Sequence, residues 1–191
     1  MLNKIYREHK GKKIFGELFY GIVKYSKYTL IEITVFSDGM IRCSYELMDF
    51  NTFKKKLKSG WIRVNLPENS ELHVHNLGII NSREFNPAKT NEDFIKEIED
   101  SITEQNGGKG RSRKCIDLFK NYLLKDSEQN YLDLKNQFED LPSHKKVLFE
   151  YVDYKDALVG LMKTEEKFSS EQRKYILNDY FEDEWNEKEF E

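Results

Sequence analysis

In the first half of the chain, hydrophobic and polar residues alternate one by one, which is the pattern of a half-buried β-strand. The clearest alternating runs cover residues 29–36 and 40–47, and Asp38-Gly39 lies between them. An Asp-Gly pair between two alternating runs is typical of a tight β-hairpin. We therefore predict a hairpin here. Shorter patterns of the same kind predict further strands at 15–23, 61–66 and 71–77.

After residue 87 the hydrophobic period changes from two to about 3.6 residues, which indicates α-helices. Phe94, Ile98 and Ile102 fall on one face of the first predicted helix. Two capping boxes predict helix starts: Thr90 with Asp93, and Ser169 with Gln172. Because the strands come first and the helices follow, the expected fold class is α+β, with an antiparallel β-rich N-terminal part followed by a helical C-terminal part.

This change of period also predicts the domain organisation. Residues 1–86 would form an antiparallel β-rich domain with one short helix at 53–58, and residues 87–191 a helical region. A glycine-rich basic segment near 106–114 is predicted to be an exposed loop. The pattern leaves open whether the two parts share one core.

The composition indicates a folded protein, since 38% of the 191 residues are hydrophobic although 34% are charged. The two cysteines, Cys43 and Cys115, are too few for a disulfide framework or a four-cysteine zinc site. No apolar run approaches the roughly 20 residues of a membrane span, and the N-terminus has no signal-peptide pattern. We expect a cytoplasmic protein with no membrane partner.

Charge is distributed unevenly along the chain. The net charge is +7 over residues 1–66, −2 over 67–114 and −8 over 115–191, which together make the −3 of the whole chain. Attraction between a basic and an acidic half explains this asymmetry, and so does binding of a charged partner.

Several short motifs together resemble a family of uncharacterised bacterial proteins that carry "DGM…C…ELVD…GW" and then an "IHGLG"-like block. The matching residues here are Asp38-Gly39-Met40, Cys43, Glu46-Leu47-Met48-Asp49, Gly60-Trp61 and the block 72–78. This chain departs from the pattern at His75-Asn76, where the family has "HG". The resemblance implies a bacterial origin and a small α+β fold. It carries no known activity, so it assigns no catalytic residue.

One set of residues has the composition of a metal site. Glu71, His73 and His75 alternate along a predicted strand and therefore share one face, where two imidazoles and a carboxylate could bind Zn²⁺. The alternative is that they are simply the water-facing side of a strand whose Leu72 and Val74 face the core. A metal-dependent enzyme is thus one hypothesis, although we find no arrangement of nucleophile and base and predict no cofactor.

Two basic segments raise a second hypothesis, a nucleic-acid-associated module. Its contact residues would be Lys54, Lys55 and Lys56 on the short helix, with Arg111 and Arg113 after the glycine loop. Such side chains contact phosphates without reading the base sequence. A solvated helix face and a flexible linker are the alternatives.

The acidic C-terminus supports the hypothesis that we favour. Asp183, Glu184 and Trp185 lie in a segment rich in carboxylates and aromatic rings, which suits the basic surface of another protein. We therefore expect a non-enzymatic protein-binding module, such as a bacterial immunity, antitoxin or phage-defence accessory protein. Its predicted partner is a protein with a basic surface.

Overall fold

The computed structural model describes residues 5–85, 89–148, 153–164, 166–181 and 185–190, and it confirms the α+β fold class. Antiparallel strands occupy the N-terminal half and helices the C-terminal half. The strands are β1 (Ile5–His9), β2 (Lys12–Lys24), β3 (Tyr28–Phe36), β4 (Met40–Cys43), β5 (Glu46–Asp49), β6 (Ile62–Arg63), β7 (Glu71–Val74) and β8 (Gly78–Asn81). The helices are α1 (Phe50–Lys58), α2 (Asn91–Gln105), α3 (Arg111–Leu124), α4 (Glu128–Glu139), α5 (Ser143–Leu148), α6 (Asp153–Thr164) and α7 (Ser170–Tyr180), with short 3₁₀ turns at Ser82–Glu84 and Glu187–Glu189.

The sheet is centred on the long hairpin of β2 and β3, which pair from Gly16↔Phe36 to Lys24↔Tyr28. The path continues as β1-β2-β3-β4-β5. Three short strands gather at the far end of the hairpin, where β6 pairs with β2, β7 runs parallel to β3 at Tyr28, and β8 pairs with β7. The turn that joins β2 to β3 is therefore surrounded by other strands on both sides.

Helices α1 and α2 pack on one face of this sheet and close its core. Phe53 of α1 and Phe94 of α2 are fully buried with their rings 5.9 Å apart in an edge-to-face contact. Ile33 of β3 and Ile98 of α2 belong to the same cluster. Burial of this apolar surface is the main stabilisation of the sheet.

The structure divides into two compact units, residues 1–110 and 111–191. This boundary at residue 110 differs from the predicted boundary at residue 86, because α2 contributes Phe94 and Ile98 to the core of the sheet. A change of hydrophobic period shows where helices begin, but it does not show which core they cover.

The second unit has a separate hydrophobic core. Its fully buried members include Cys115, Phe119, Leu134 and Leu177. Both predicted capping boxes are present, the one in this unit being that of Ser169 with Gln172 at the start of α7. No helix in the described ranges has the length and apolar character required to cross a membrane.

Two local predictions need correction. The run 40–47 is not one strand, since Ser44 takes a φ of 54° and the chain turns there, which leaves Tyr45 fully exposed between β4 and β5. The basic segment 106–114 is not one loop either. Arg111 begins α3, so Arg111, Arg113 and Lys114 lie at the start of a helix, whereas Lys109 precedes it. The Arg111 Nε donates a 2.7 Å hydrogen bond to Asp140.

Candidate functional site

A cleft of about 690 Å³ lies at the β2–β3 turn, where the neighbouring strands converge. It follows from the topology, because β7 runs alongside Tyr28 and the chain returns through β8 into the 3₁₀ turn. The cleft is lined by Ser26, Lys27, Tyr28, Asn69, Ser70, Glu71, His73, Asn81, Ser82, Arg83 and Glu84.

The lining of the cleft is polar and carries both signs of charge. Lys27 and Arg83 contribute cations, Glu71 and Glu84 contribute carboxylates, and His73 is half-buried among them. Such a lining can donate hydrogen bonds to a ligand and accept hydrogen bonds from it. A polypeptide suits this lining, because it carries both donors and acceptors.

An aromatic ridge stands beside the cleft. The rings of Tyr25 and Trp61 meet edge to face with their centroids 5.7 Å apart, and Tyr25 is 54% exposed. The Lys56 Nζ lies 4.0 Å from the centre of the Trp61 ring and 2.6 Å from Oε2 of Glu46. The cation–π contact of Lys56 favours one orientation of the Trp61 ring, and the ion pair with Glu46 positions Lys56 for this contact.

Tyr28 connects this ridge to the cleft, since it lines the cleft and lies only three residues after Tyr25. The guanidinium of Arg63 lies 5.3 Å from its ring centre and the ammonium of Lys24 lies 5.7 Å away. Arg63 is itself anchored by a 2.8 Å bond from Nη2 to the carbonyl oxygen of Gly60. We call the cleft together with Lys24, Tyr25, Tyr28, Trp61 and Arg63 the hairpin-end surface.

The structure brings together two of the three residues of the metal hypothesis. Glu71 and His73 line the cleft, whereas His75 lies beyond the last residue of β7, in the turn where Asn76 takes a φ of 59°. Across the described residues, no three His, Cys, Asp or Glu side chains are placed to hold one metal ion.

The residues of the nucleic-acid hypothesis belong to different units. Lys54, Lys55 and Lys56 are on α1 in the first unit, and Arg111 and Arg113 are on α3 in the second. Two of these five cations pair with carboxylates: Lys56 pairs with Glu46, and Arg111 pairs with Asp140. The Lys54 Nζ lies 4.5 Å from the centre of the Phe50 ring.

The acidic tail is described only in part. Asp183 and Glu184 lie outside the described residues. Trp185 is half-buried against the helical core, and its ring lies 6.3 Å from that of Phe190. The guanidinium of Arg173 lies 4.6 Å from the Phe190 ring. The indole of Trp185 is therefore already packed within the second unit.

Burial makes the two cysteine thiols poorly reactive. Cys43 and Cys115 are fully buried, and this burial raises the pKa of each thiol to about 12. Since the thiolate is the reactive form, neither side chain is a nucleophile at neutral pH.

Sequence reasoning missed the hairpin-end surface, although a signal for it exists. The segment 24–28 reads Lys-Tyr-Ser-Lys-Tyr, so cations and aromatic rings are interleaved in the turn between two strands. Trp61 and Arg83 could not be found in this way, because only the sheet topology brings them to the same end of the hairpin.

Comparison with known proteins gives one match. Residues 4–109 match the family model described as a domain of unknown function (DUF7638). This range includes the whole hairpin-end surface and ends next to the division between the two compact units. No curated protein and no solved structure matches the chain.

Proposed function

Because the chain belongs to the DUF7638 family, which has no assigned activity, we propose from the site itself that the protein is a non-enzymatic protein-binding module. The observation that carries this proposal is the Tyr25–Trp61 ridge beside a cleft of mixed charge. Trp, Tyr and Arg are the residues most enriched where binding energy concentrates in protein interfaces. All three meet at the hairpin-end surface.

The charges of the cleft support a polypeptide ligand over a nucleic acid. A phosphate backbone near Lys27 and Arg83 would also meet the carboxylates of Glu71 and Glu84. Repulsion between these carboxylates and the phosphates would reduce the affinity for a polyanion, whereas a polypeptide segment can place a charge of the right sign at each position.

The high pKa of both thiols supports a role without covalent catalysis by cysteine. Within the class of binding modules, we propose a bacterial immunity, antitoxin or phage-defence accessory protein, whose task would be to hold one partner. The second unit carries 14 basic and 19 acidic residues, and its acidic tail remains our proposed contact for a basic partner surface.

Affinity purification from the native bacterium tests this proposal. The bait would be the wild-type chain and a Tyr25→Ala/Arg83→Glu variant, in which both changed side chains are exposed. The matched control is Tyr6→Ala, a 44% exposed tyrosine at the opposite end of the hairpin. We expect one protein at near-equal amount with the wild type and the control, and its loss with the double variant.

Two results would contradict the proposal. Equal recovery of the partner with the double variant would show that the hairpin-end surface does not bind it. Recovery of nucleic acid without a protein would favour the alternative module, which uses Lys54, Lys55, Lys56, Arg111 and Arg113. Increasing salt would then weaken binding steeply. In the same assay, reversal of Asp183 and Glu184 should weaken partner binding at an unchanged melting temperature, and unchanged binding would exclude the tail.

A further inference from the structure

Strand β8 is an open edge of the sheet. Within the described ranges it pairs only with β7, and all four of its residues are exposed. The edge strands β1 and β5 carry charges, with Arg7 and Glu8 in one and Glu46 and Asp49 in the other. β8 reads Gly-Ile-Ile-Asn and has neither a charge nor a proline. Native proteins protect edge strands with such residues or by keeping the strand short, and the four-residue β8 has only the second protection, so its edge can pair with another strand.

The register shows which backbone groups of β8 face outward. Ser82 donates its backbone N–H to the carbonyl oxygen of Ser70 at 2.9 Å, so this pair is hydrogen-bonded. Hydrogen-bonded and non-hydrogen-bonded pairs alternate along an antiparallel ladder. Ile80 therefore turns its backbone groups toward β7, as Ser82 does, and Ile79 and Asn81 turn theirs toward the open edge.

We propose that the strand pairing with β8 is β8 of a second copy of this chain, antiparallel about a two-fold axis that passes through Ile80. In this register Ile79 of each copy lies opposite Asn81 of the other. Each of these pairs exchanges both of its backbone hydrogen bonds, so the outward groups of both strands are satisfied.

The sequence of β8 fits a second copy because the strand is complementary to itself. On a two-fold axis only the axis residue faces its own copy, and here that residue is the uncharged, apolar Ile80. The paired stretch ends at Ile79 and Asn81 of each copy, because Leu77 lies in the turn before β8 and Ser82–Glu84 form a 3₁₀ turn after it. The paired positions 79–81 carry no charge, so no like charges oppose each other. Since four residues a side make a small interface, the dimer should be weak and concentration-dependent.

Sedimentation equilibrium tests the proposal between about 5 and about 500 µM protein, a range suited to small, transient interfaces. We expect the wild type to shift from monomer toward dimer and Ile80→Lys to stay monomeric, because two ammonium groups would meet on the axis. The matched control is Leu132→Lys, which adds the same charge at a 42% exposed leucine of α4, compared with 37% exposure for Ile80. A wild type that stays monomeric throughout, or an Ile80→Lys variant that dimerises like the control, overturns the proposal.

Disulfide cross-linking tests the register without relying on a disruptive charge. Under mild oxidation Ile80→Cys should form a covalent dimer, since residues opposite each other in a non-hydrogen-bonded pair are close enough for a disulfide. Leu77→Cys is the control, because Leu77 is more exposed than Ile80 but lies in the turn before β8, away from the two-fold axis. The native thiols are buried and contribute little background. Equal cross-linking of the two variants, or no cross-linking of Ile80→Cys, overturns the register. If β8 instead pairs with a strand of another protein, the purified chain stays monomeric in both experiments, which overturns the proposal.

Discussion

The hydroxyl of Ser101 donates a 2.6 Å hydrogen bond to Oε2 of Glu17, and this bond joins the buried side of α2 to the central strand β2. Nε2 of Gln105, one turn later, donates to the Ser101 hydroxyl oxygen at 2.9 Å and to the carbonyl oxygen of Val35 at 3.1 Å. These contacts tie α2 to both central strands. They explain why α2 belongs to the unit that contains the sheet.

The fully buried Phe94 should be the most sensitive position of α2. Its ring contacts Phe19 and Phe53 edge to face, at 6.0 and 5.9 Å between centroids. Phe94→Ala should therefore reduce the free energy of unfolding of the first unit by about 3–5 kcal/mol, measured by urea denaturation. The exposed Phe15 is the control, since Phe15→Ala should cost well under half as much. A small loss at Phe94 would mean that α2 does not close this core.

Asp49 should make the stability of α1 depend on pH. Its carboxylate accepts hydrogen bonds from the backbone N–H and the hydroxyl of Thr52, at 2.9 and 2.8 Å. The bond from the Thr52 backbone, followed by that from its hydroxyl, lowers the Asp49 pKa below its ordinary value of 3.8. Because the folded pKa lies below the unfolded one, this stabilisation is fully present above pH 3.8 and is lost as the pH falls through the folded pKa.

Melting temperatures between about pH 2 and pH 6 check this expectation with the Asp49→Asn variant. Asparagine keeps the capping geometry but has no charge to lose, so the wild type should melt higher at pH 6 and the difference should close toward pH 2. A difference that stays constant across this range would show that ionisation of Asp49 does not stabilise α1.

Lys56 and Lys55 should differ in their effect on stability although they are adjacent. Lys56 pairs with Glu46 and lies over Trp61, whereas Lys55 is exposed. Lys56→Gln should lower the free energy of unfolding by about 1 kcal/mol, and Lys55→Gln should leave it unchanged. Thermal unfolding at low and high salt checks both, with the difference shrinking at high salt. Equal effects of the two substitutions would contradict the positioning role of Lys56.

The two cysteines should be protected in the folded protein. Burial raises the pKa of both Cys43 and Cys115 to about 12, so a thiol-specific chromogenic reagent at pH 8 should react slowly with the native chain. In urea both thiols should react quickly. Fast reaction of one thiol without denaturant would reveal local opening of the unit that contains it.

The sequence alone determined the features that depend on neighbouring residues. The alternation over 29–36 and the Asp38-Gly39 turn predicted the β3–β4 hairpin, and the Thr90–Asp93 pair predicted the start of α2. Each of these features involves groups within a few positions of one another, so local spacing contains the information. The fold class follows from the order in which such local patterns occur.

Only the tertiary structure decided which distant groups meet. The break at Ser44, the pairing of Lys56 with Glu46, and the place of α2 on the sheet all depend on strand register and on contacts across the core. The candidate site has the same origin, because Tyr25 and Trp61 meet only through the pairing of β2 with β6. A hydrophobic pattern shows that a face is buried, but it contains no record of the surface that buries it.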